Sequence, residues 1–145
     1  MLYFILFVFM LEAEIQLRVR YAETDQMGVV YYGNYAAYCE VGRVEVMRKI
    51  GTTYKALEEA GVMLPVIEYN VKYLKPALYD DNLTIRTIVK VLPRARITFD
   101  YEIYNENCDL LNEASTTLVF IKKETGRPCA APDWFMDGLR PYFES

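Results

Sequence analysis

Asp25 sits in the stretch Tyr21-Ala22-Glu23-Thr24-Asp25-Gln26-Met27-Gly28-Val29-Val30-Tyr31-Tyr32-Gly33-Asn34-Tyr35, a glycine-bearing loop that leads into an apolar helical segment. The first turn of a helix leaves backbone N–H groups without intrahelical partners, and the helix dipole adds positive potential there. A carboxylate facing such donors across a small gap can hold a carbonyl between them. Attack on that carbonyl makes an oxyanion, which the N–H groups stabilise. The carboxylate has two routes: direct attack to give an anhydride, or orientation and deprotonation of a water. Aspartate side chains titrate near ~4, so an ionised oxygen is available at neutral pH for either route. On residue type alone, an aspartate in such a loop more often serves as a turn or capping residue.

The chain contains no histidine. A Ser-His-Asp or Cys-His mechanism therefore lacks its imidazole base, and histidine-bearing zinc sites are excluded. Ser115, Thr116 and Thr117 lie in a strand pattern without a base partner, so a serine hydrolase reading fails. Cys39, Cys108 and Cys129 are widely spaced and form no CxxC pair, which supports neither a zinc knuckle nor a redox motif. They read as reduced thiols of a cytoplasmic protein, with Cys39 packed inside a helix. No metal or cofactor is expected. With 16 basic and 20 acidic side chains the net charge is −4, which argues against a general nucleic-acid binder.

The 145 residues suit one domain, and 53% apolar content is ample for its core. Met1 to Leu11 is an unbroken apolar run, set apart here from a domain over 12–145. It is shorter than the roughly 20 residues that span a bilayer as a helix. It also lacks the basic start and small-residue cleavage site of a secretory signal. An extra strand, a hydrophobic interface segment, or an extended start ahead of an initiator at Met10 fits better than a membrane anchor.

The elements that must position Asp25 follow from periodicity. Glu14 to Tyr21 alternates as a half-buried strand. A helix is expected from Asn34, a good N-cap, to Ile50, with Gly51 as its left-handed C-terminal residue. Apolar residues surround much of that helix, so it is expected to be buried on most sides. Gly42 within it reads as a place where another backbone approaches closely. A short helix over Thr53–Ala60 ends at Gly61. Strands are then expected over Val62–Leu74 (bent near Pro65), Leu83–Val91, Ile97–Ile103 and Ala114–Ile121, with a last short helix over Pro132–Tyr142. Short links between strands imply antiparallel neighbours. The fold class is α+β: a curved antiparallel five-stranded sheet wrapped around one long central helix.

The stretch Val19 to Tyr35, continuing through Glu40-Val41-Gly42-Arg43, closely resembles the signature of the 4-hydroxybenzoyl-CoA thioesterase-like family. Further similarity lies in Tyr73-Leu74-Lys75-Pro76-Ala77, Pro93-Arg94-Ala95-Arg96 and Thr125-Gly126-Arg127-Pro128, so it covers about Glu14 to Pro132. The resemblance implies a hotdog fold that hydrolyses acyl-CoA thioesters as a homo-oligomer, a dimer or a dimer of dimers. It places the catalytic carboxylate at Asp25, the backbone N–H oxyanion donor at Tyr32, and substrate contact at Gly33. Many relatives carry histidine where this chain has Tyr32; the backbone donor survives that exchange, but a side-chain proton transfer does not.

Glu40 and Arg43 lie three apart, so they can pair on one helix face and support the site. Arg94 and Arg96, with Lys90, are placed to meet coenzyme A phosphates by charge-assisted hydrogen bonds, or else form a solvated strand end. Tyr31, Tyr35 and Tyr38 read as packing and interface aromatics. Three other readings compete. A hotdog dehydratase or isomerase typically pairs its carboxylate with histidine, which is missing here. A non-catalytic acyl-CoA or acyl-carrier binding module would keep the fold without turnover. A structural interaction protein rests only on the apolar head.

Overall fold

The computed structural model describes residues 9–144, so the expectations for residues 1–8 lie outside the described residues. In chain order the elements are β1 (Leu11–Arg18), α1 (Asn34–Lys49), α2 (Tyr54–Glu59), β2 (Val62–Met63), β3 (Val66–Tyr73), β4 (Asn82–Val89), β5 (Arg96–Tyr104), β6 (Leu110–Val119), β7 (Ile121–Lys122) and α3 (Asp133–Leu139). β1, β4, β5, β6 and β3 form one antiparallel sheet in that order, with α1 lying against β1 and β4. This is the α+β arrangement that the resemblance implies.

Several elements differ in detail from their sequence pattern. β1 starts at Leu11, which is fully buried, and gives way before Tyr21 to a single 3-10 turn over Tyr21–Glu23. The expected strand from Val62 to Leu74 is two strands: the chain breaks at Leu64-Pro65, and β2 leaves to pair with β7. Proline removes a ladder donor, which favours a break there over a bend. β3 and β4 are consecutive but are not neighbours, since β3 pairs with β6 at the sheet edge. The link 74–81 is long enough for this: residues extend by up to ~3.5 Å each, and three strand spacings need only about 14 Å.

α1 is buried along one stripe rather than on most sides. Tyr35, Tyr38, Cys39, Gly42, Arg43, Val46 and Met47 are buried, at the spacing of a single helix face. Ala36, Ala37, Glu40 and Val41 on the other face are exposed. One sheet covers one side of a helix, and apolar content alone cannot say which side. Asn34 is the first helical residue, not the cap; Gly33 takes the cap position and makes no side-chain bond. Gly51 ends the helix at φ +80°, as expected.

Gly42 sets how closely the helix lies on the sheet. A Cβ there would stand 2.2 Å from Thr87 Oγ1 and 2.9 Å from Ile85 Cγ2. What approaches is thus a pair of β4 side chains, not another backbone. Thr87 and Ile85 are both fully buried, so neither has room to yield. Replacing Gly by Ala in a helix interior normally gains up to ~1 kcal/mol. Overpacking a fixed core costs about 1–3 kcal/mol, and here it wins. Gly42→Ala should lower unfolding free energy by about 1–2 kcal/mol in a denaturant titration; a stabilised variant would contradict the close packing described.

Candidate active site

Glu23 ties the loop to the helix. Its carbonyl accepts the Tyr31 N–H at 2.9 Å and the Asn34 side-chain amide at 2.8 Å. Its carboxylate accepts the Tyr38 hydroxyl at 3.0 Å, the Arg20 N–H at 2.9 Å and the Arg20 guanidinium at 3.0 Å. The other side of the loop is held by the 77–78 segment, where Val30 N–H donates to the Ala77 carbonyl at 2.9 Å. The Tyr35 hydroxyl accepts the Ala77 N–H at 3.2 Å. Residues 23 to 31 are therefore fastened at both ends, to α1 and to the approach to β4.

Asp25 occupies the tip of this fastened loop. Its N–H donates to the Val29 carbonyl at 2.9 Å, and its Oδ1 accepts the Met27 N–H at 2.8 Å. Gly28, at φ +80°, lets the chain turn back within that span. Asp25 is thus a turn residue, as its type alone indicates, but the turn uses only one carboxylate oxygen. Oδ2 has no partner among the described residues, and no ion pair there includes Asp25.

Asp25 and Tyr32 line one cavity of about 290 Å³, walled by Tyr35, Tyr73, Leu74 and Pro76. Among the described residues the N–H groups of Tyr32 and Gly33 donate to no acceptor, whereas Asn34 N–H is taken by the Tyr31 carbonyl at 2.9 Å. The Tyr73 hydroxyl donates to the Tyr32 carbonyl at 3.3 Å, which steadies that peptide. A Cβ at Gly33 would stand 2.9 Å from the edge of the exposed Tyr31 ring, which would have to turn aside. Asp25, with one unengaged carboxylate oxygen, and Tyr32, with an unengaged N–H, thus line the same cavity, a combination suited to acyl transfer.

The remaining predicted residues are distributed differently. Glu40 and Arg43 do not pair. Arg43 turns inward, where Nε donates to the Tyr54 hydroxyl at 3.1 Å and Nη1 to the Tyr101 hydroxyl at 3.2 Å, while Glu40 stays exposed. Burial works against the Arg43 charge, but the two tyrosines outweigh it and raise its pKa. Lys90 and Arg96 come together beside a cavity of about 410 Å³, with Lys90 Nζ 3.8 Å from Asp100. They stand at the far end of β4 from the Asp25 loop, about 26 Å away at ~3.3 Å per strand residue. Arg94 is exposed on the turn before β5. Cys39 is buried, and burial pushes its thiol up to about 12, so it is a packing residue.

Glu23 and Tyr38 were the residues that sequence reasoning missed. Glu23 lies inside the motif but carries no spacing signal of its own, and Tyr38 reads as core. Burial alone would raise the Glu23 pKa; the bonds from Arg20 and Tyr38 outweigh it and lower the value below the usual glutamate range. A lowered carboxylate pKa contributes stability that is present above the unfolded value and lost as pH falls through the folded one. Wild type should therefore exceed Glu23→Gln in Tm above about pH 5, and the gap should shrink on acidification below about pH 4. A gap that widens in acid would overturn this role.

Comparisons with known proteins identify the family. A model of the thioesterase-like superfamily matches residues 19–139. The putative acyl-CoA thioesterase YneP of Bacillus subtilis is 36% identical over 123 residues, 82% of this chain and 89% of that protein. The acyl-CoA thioester hydrolase YbgC of Escherichia coli is 35% identical over 115 residues, 79% of this chain and 86% of its own. The crystal structure of a DHNA-CoA thioesterase from Staphylococcus aureus superposes with a TM-score of 0.83 at 36% identity, over 91% of this chain and 88% of that one. The chain belongs to the thioesterase-like superfamily, as a hotdog-fold thioester hydrolase.

Proposed function

We propose that the protein hydrolyses acyl-CoA thioesters to a carboxylic acid and free coenzyme A, with Asp25 as nucleophile or general base. The observation that carries this reading is the shared cavity: Asp25, with one unengaged carboxylate oxygen, and Tyr32, with an unengaged N–H, line one space. The thioester carbonyl oxygen points at the Tyr32 N–H, with Gly33 leaving that approach open. On the nucleophilic route the Asp25 oxygen bonds to the carbonyl carbon, the thiolate of coenzyme A leaves, and water cleaves the resulting anhydride. On the general-base route Asp25 takes a proton from the attacking water and the same thiolate leaves. Tyr32 contributes through its backbone on either route.

Asp25→Asn should keep the fold and lower thiol release from acyl-CoA esters by about 10²- to 10⁴-fold in kcat. Binding of the esters with unchanged, negligible turnover in both proteins would instead identify a non-catalytic acyl-CoA module.

The homo-oligomer is built, on this reading, by joining two copies edge to edge along β3. Both sheet edges are free among the described residues, but they differ in cover. The inward residues of β1 lie under α1. On β3 the inward Tyr69 and Tyr73 are 36% and 47% exposed, beside Val66 and Ile67 at 45% and 49%. A bare edge with an uncovered apolar inner face is an aggregation hazard unless a partner closes it. A second copy, related by a two-fold axis through the middle of β3, pairs the two edges antiparallel and brings the two Asp25 cavities toward the same seam. The Lys90–Arg96 end of one sheet then lies on the side of the partner's Asp25, where coenzyme A phosphates can use it. The unbonded cysteines fit a reducing cytoplasm.

Tyr69→Glu should convert the dimer to monomer in light-scattering mass measurement and cut thioesterase activity with it. A monomeric wild type with full activity would rule this assembly out.

A further inference from the structure

The Tyr32 N–H belongs to a peptide whose carbonyl, that of Tyr31, accepts the Asn34 N–H at 2.9 Å. The next peptide, between Tyr32 and Gly33, is held less firmly by the helix: its carbonyl accepts the Tyr35 N–H at 3.4 Å. Glycine restricts its own backbone least, so this peptide depends most on a bond from outside the turn. One side chain among the described residues supplies it. The Tyr73 hydroxyl, reaching across from β3, donates to the Tyr32 carbonyl at 3.3 Å.

Tyr73 is fixed at both ends. Its backbone stands in register with Asn112 of β6, and its ring packs edge-on against that of Tyr35 at 5.5 Å. Burial, and then the nearby Tyr32 hydroxyl, raise its pKa above the ordinary tyrosine value, so it stays a donor at neutral pH. Tyr73 lines the same cavity as Asp25, Tyr32 and Tyr35. On the other side of the held peptide, the Gly33 N–H donates to no acceptor among the described residues. Gly33 has helical torsions, φ −66° and ψ −21°, within two overlapping turns closed by Asn34 and Tyr35. At such a helix entrance successive free N–H groups point the same way, out of the helix.

We propose that Tyr73 is a positioning residue of the oxyanion site: its hydroxyl fixes the Tyr32–Gly33 peptide, so that the Gly33 N–H joins that of Tyr32 in holding the thioester carbonyl oxygen. The inference rests on the thioesterase reading and deepens it. Donation to a carbonyl draws charge toward its oxygen, which makes the N–H of the same peptide a stronger donor. The substrate oxygen carries most charge in the transition state, so the effect falls on kcat rather than on KM. Tyr73 needs no contact with the substrate for this.

The test is Tyr73→Phe in the full-length protein, which keeps the ring and removes the hydroxyl, read by kinetics and by amide NMR without ligand. Thiol release from acyl-CoA esters should fall by about three- to tenfold in kcat with KM unchanged. The Gly33 amide signal should shift in the unliganded variant, while that of Val29 across the cavity stays in place. Fluorinated tyrosines at position 73, better donors with each added fluorine, should raise kcat in step while their hydroxyl stays protonated. Above the pH at which that hydroxyl ionises, the bond is lost and kcat should drop to the level of Tyr73→Phe. If Tyr73→Phe does not fold, the fluorinated series decides alone. A wild-type kcat in Tyr73→Phe, or no trend across the fluorinated series, would overturn the inference while leaving thioester hydrolysis intact. So would a loss of kcat with the Gly33 amide unmoved, since the hydroxyl would then act on the substrate itself. Absence of thiol release from every ester would instead overturn the proposed function, and this inference with it.

Discussion

The fastening of Glu23 is the interaction on which the site depends. A loop of ten residues between a 3-10 turn and a helix has many conformations, and fixing each residue costs roughly 1–2 kcal/mol in backbone entropy. One residue offsets much of that here by binding at six points: its carbonyl holds Tyr31 and Asn34, and its carboxylate holds Tyr38 once and Arg20 three times. Because Tyr38 and Asn34 belong to α1, the loop cannot move without the helix. Burial raises the pKa of the Tyr38 hydroxyl, with the Glu23 bond adding to it, so that hydroxyl remains a donor across the working pH range. Asp25 inherits a fixed distance from the helix entrance without bonding to it directly.

The helix is in turn fixed by the sheet. Gly42 lets α1 settle onto Ile85 and Thr87, and the buried stripe from Tyr35 to Met47 follows from that contact. Since α1 sits over β1 and β4, the inner face of β3 is left open. The same asymmetry that buries one face of the helix therefore leaves open both the cavity beside Tyr73 and the bare edge of β3. Cavity and bare edge are two consequences of one off-centre packing.

Much of this was legible in the sequence, for physical reasons that also mark its limits. The Asp25 loop and the helix start were readable because loop glycines give way there to a long apolar segment, and Gly51 marks the helix end. The alternating strands were readable from their period of two. The extent of α1 burial was not, because Ala36, Ala37 and Val41 have the same composition whether they face a sheet, a partner or water. The pairing of β3 with β6 depends on which edge the sheet leaves vacant, and no local pattern encodes that. Spacing placed Glu40 and Arg43 on one face, but the tyrosines that draw Arg43 inward come from α2 and β5, remote in sequence. Glu23 had no period or motif position to distinguish it from a solvated glutamate.

The account stands on a carbonyl held between the Asp25 carboxylate and the N–H groups at the entrance of α1. The most direct measurement is amide NMR of the full-length protein bound to a ketone analogue of an acyl-CoA, in which a methylene replaces the thioester sulfur and the carbonyl is kept. The account predicts that the Tyr32 amide proton moves downfield and becomes protected from exchange, as a new hydrogen bond to the carbonyl requires. A saturated complex in which neighbouring cavity amides shift while that of Tyr32 stays unmoved would contradict it.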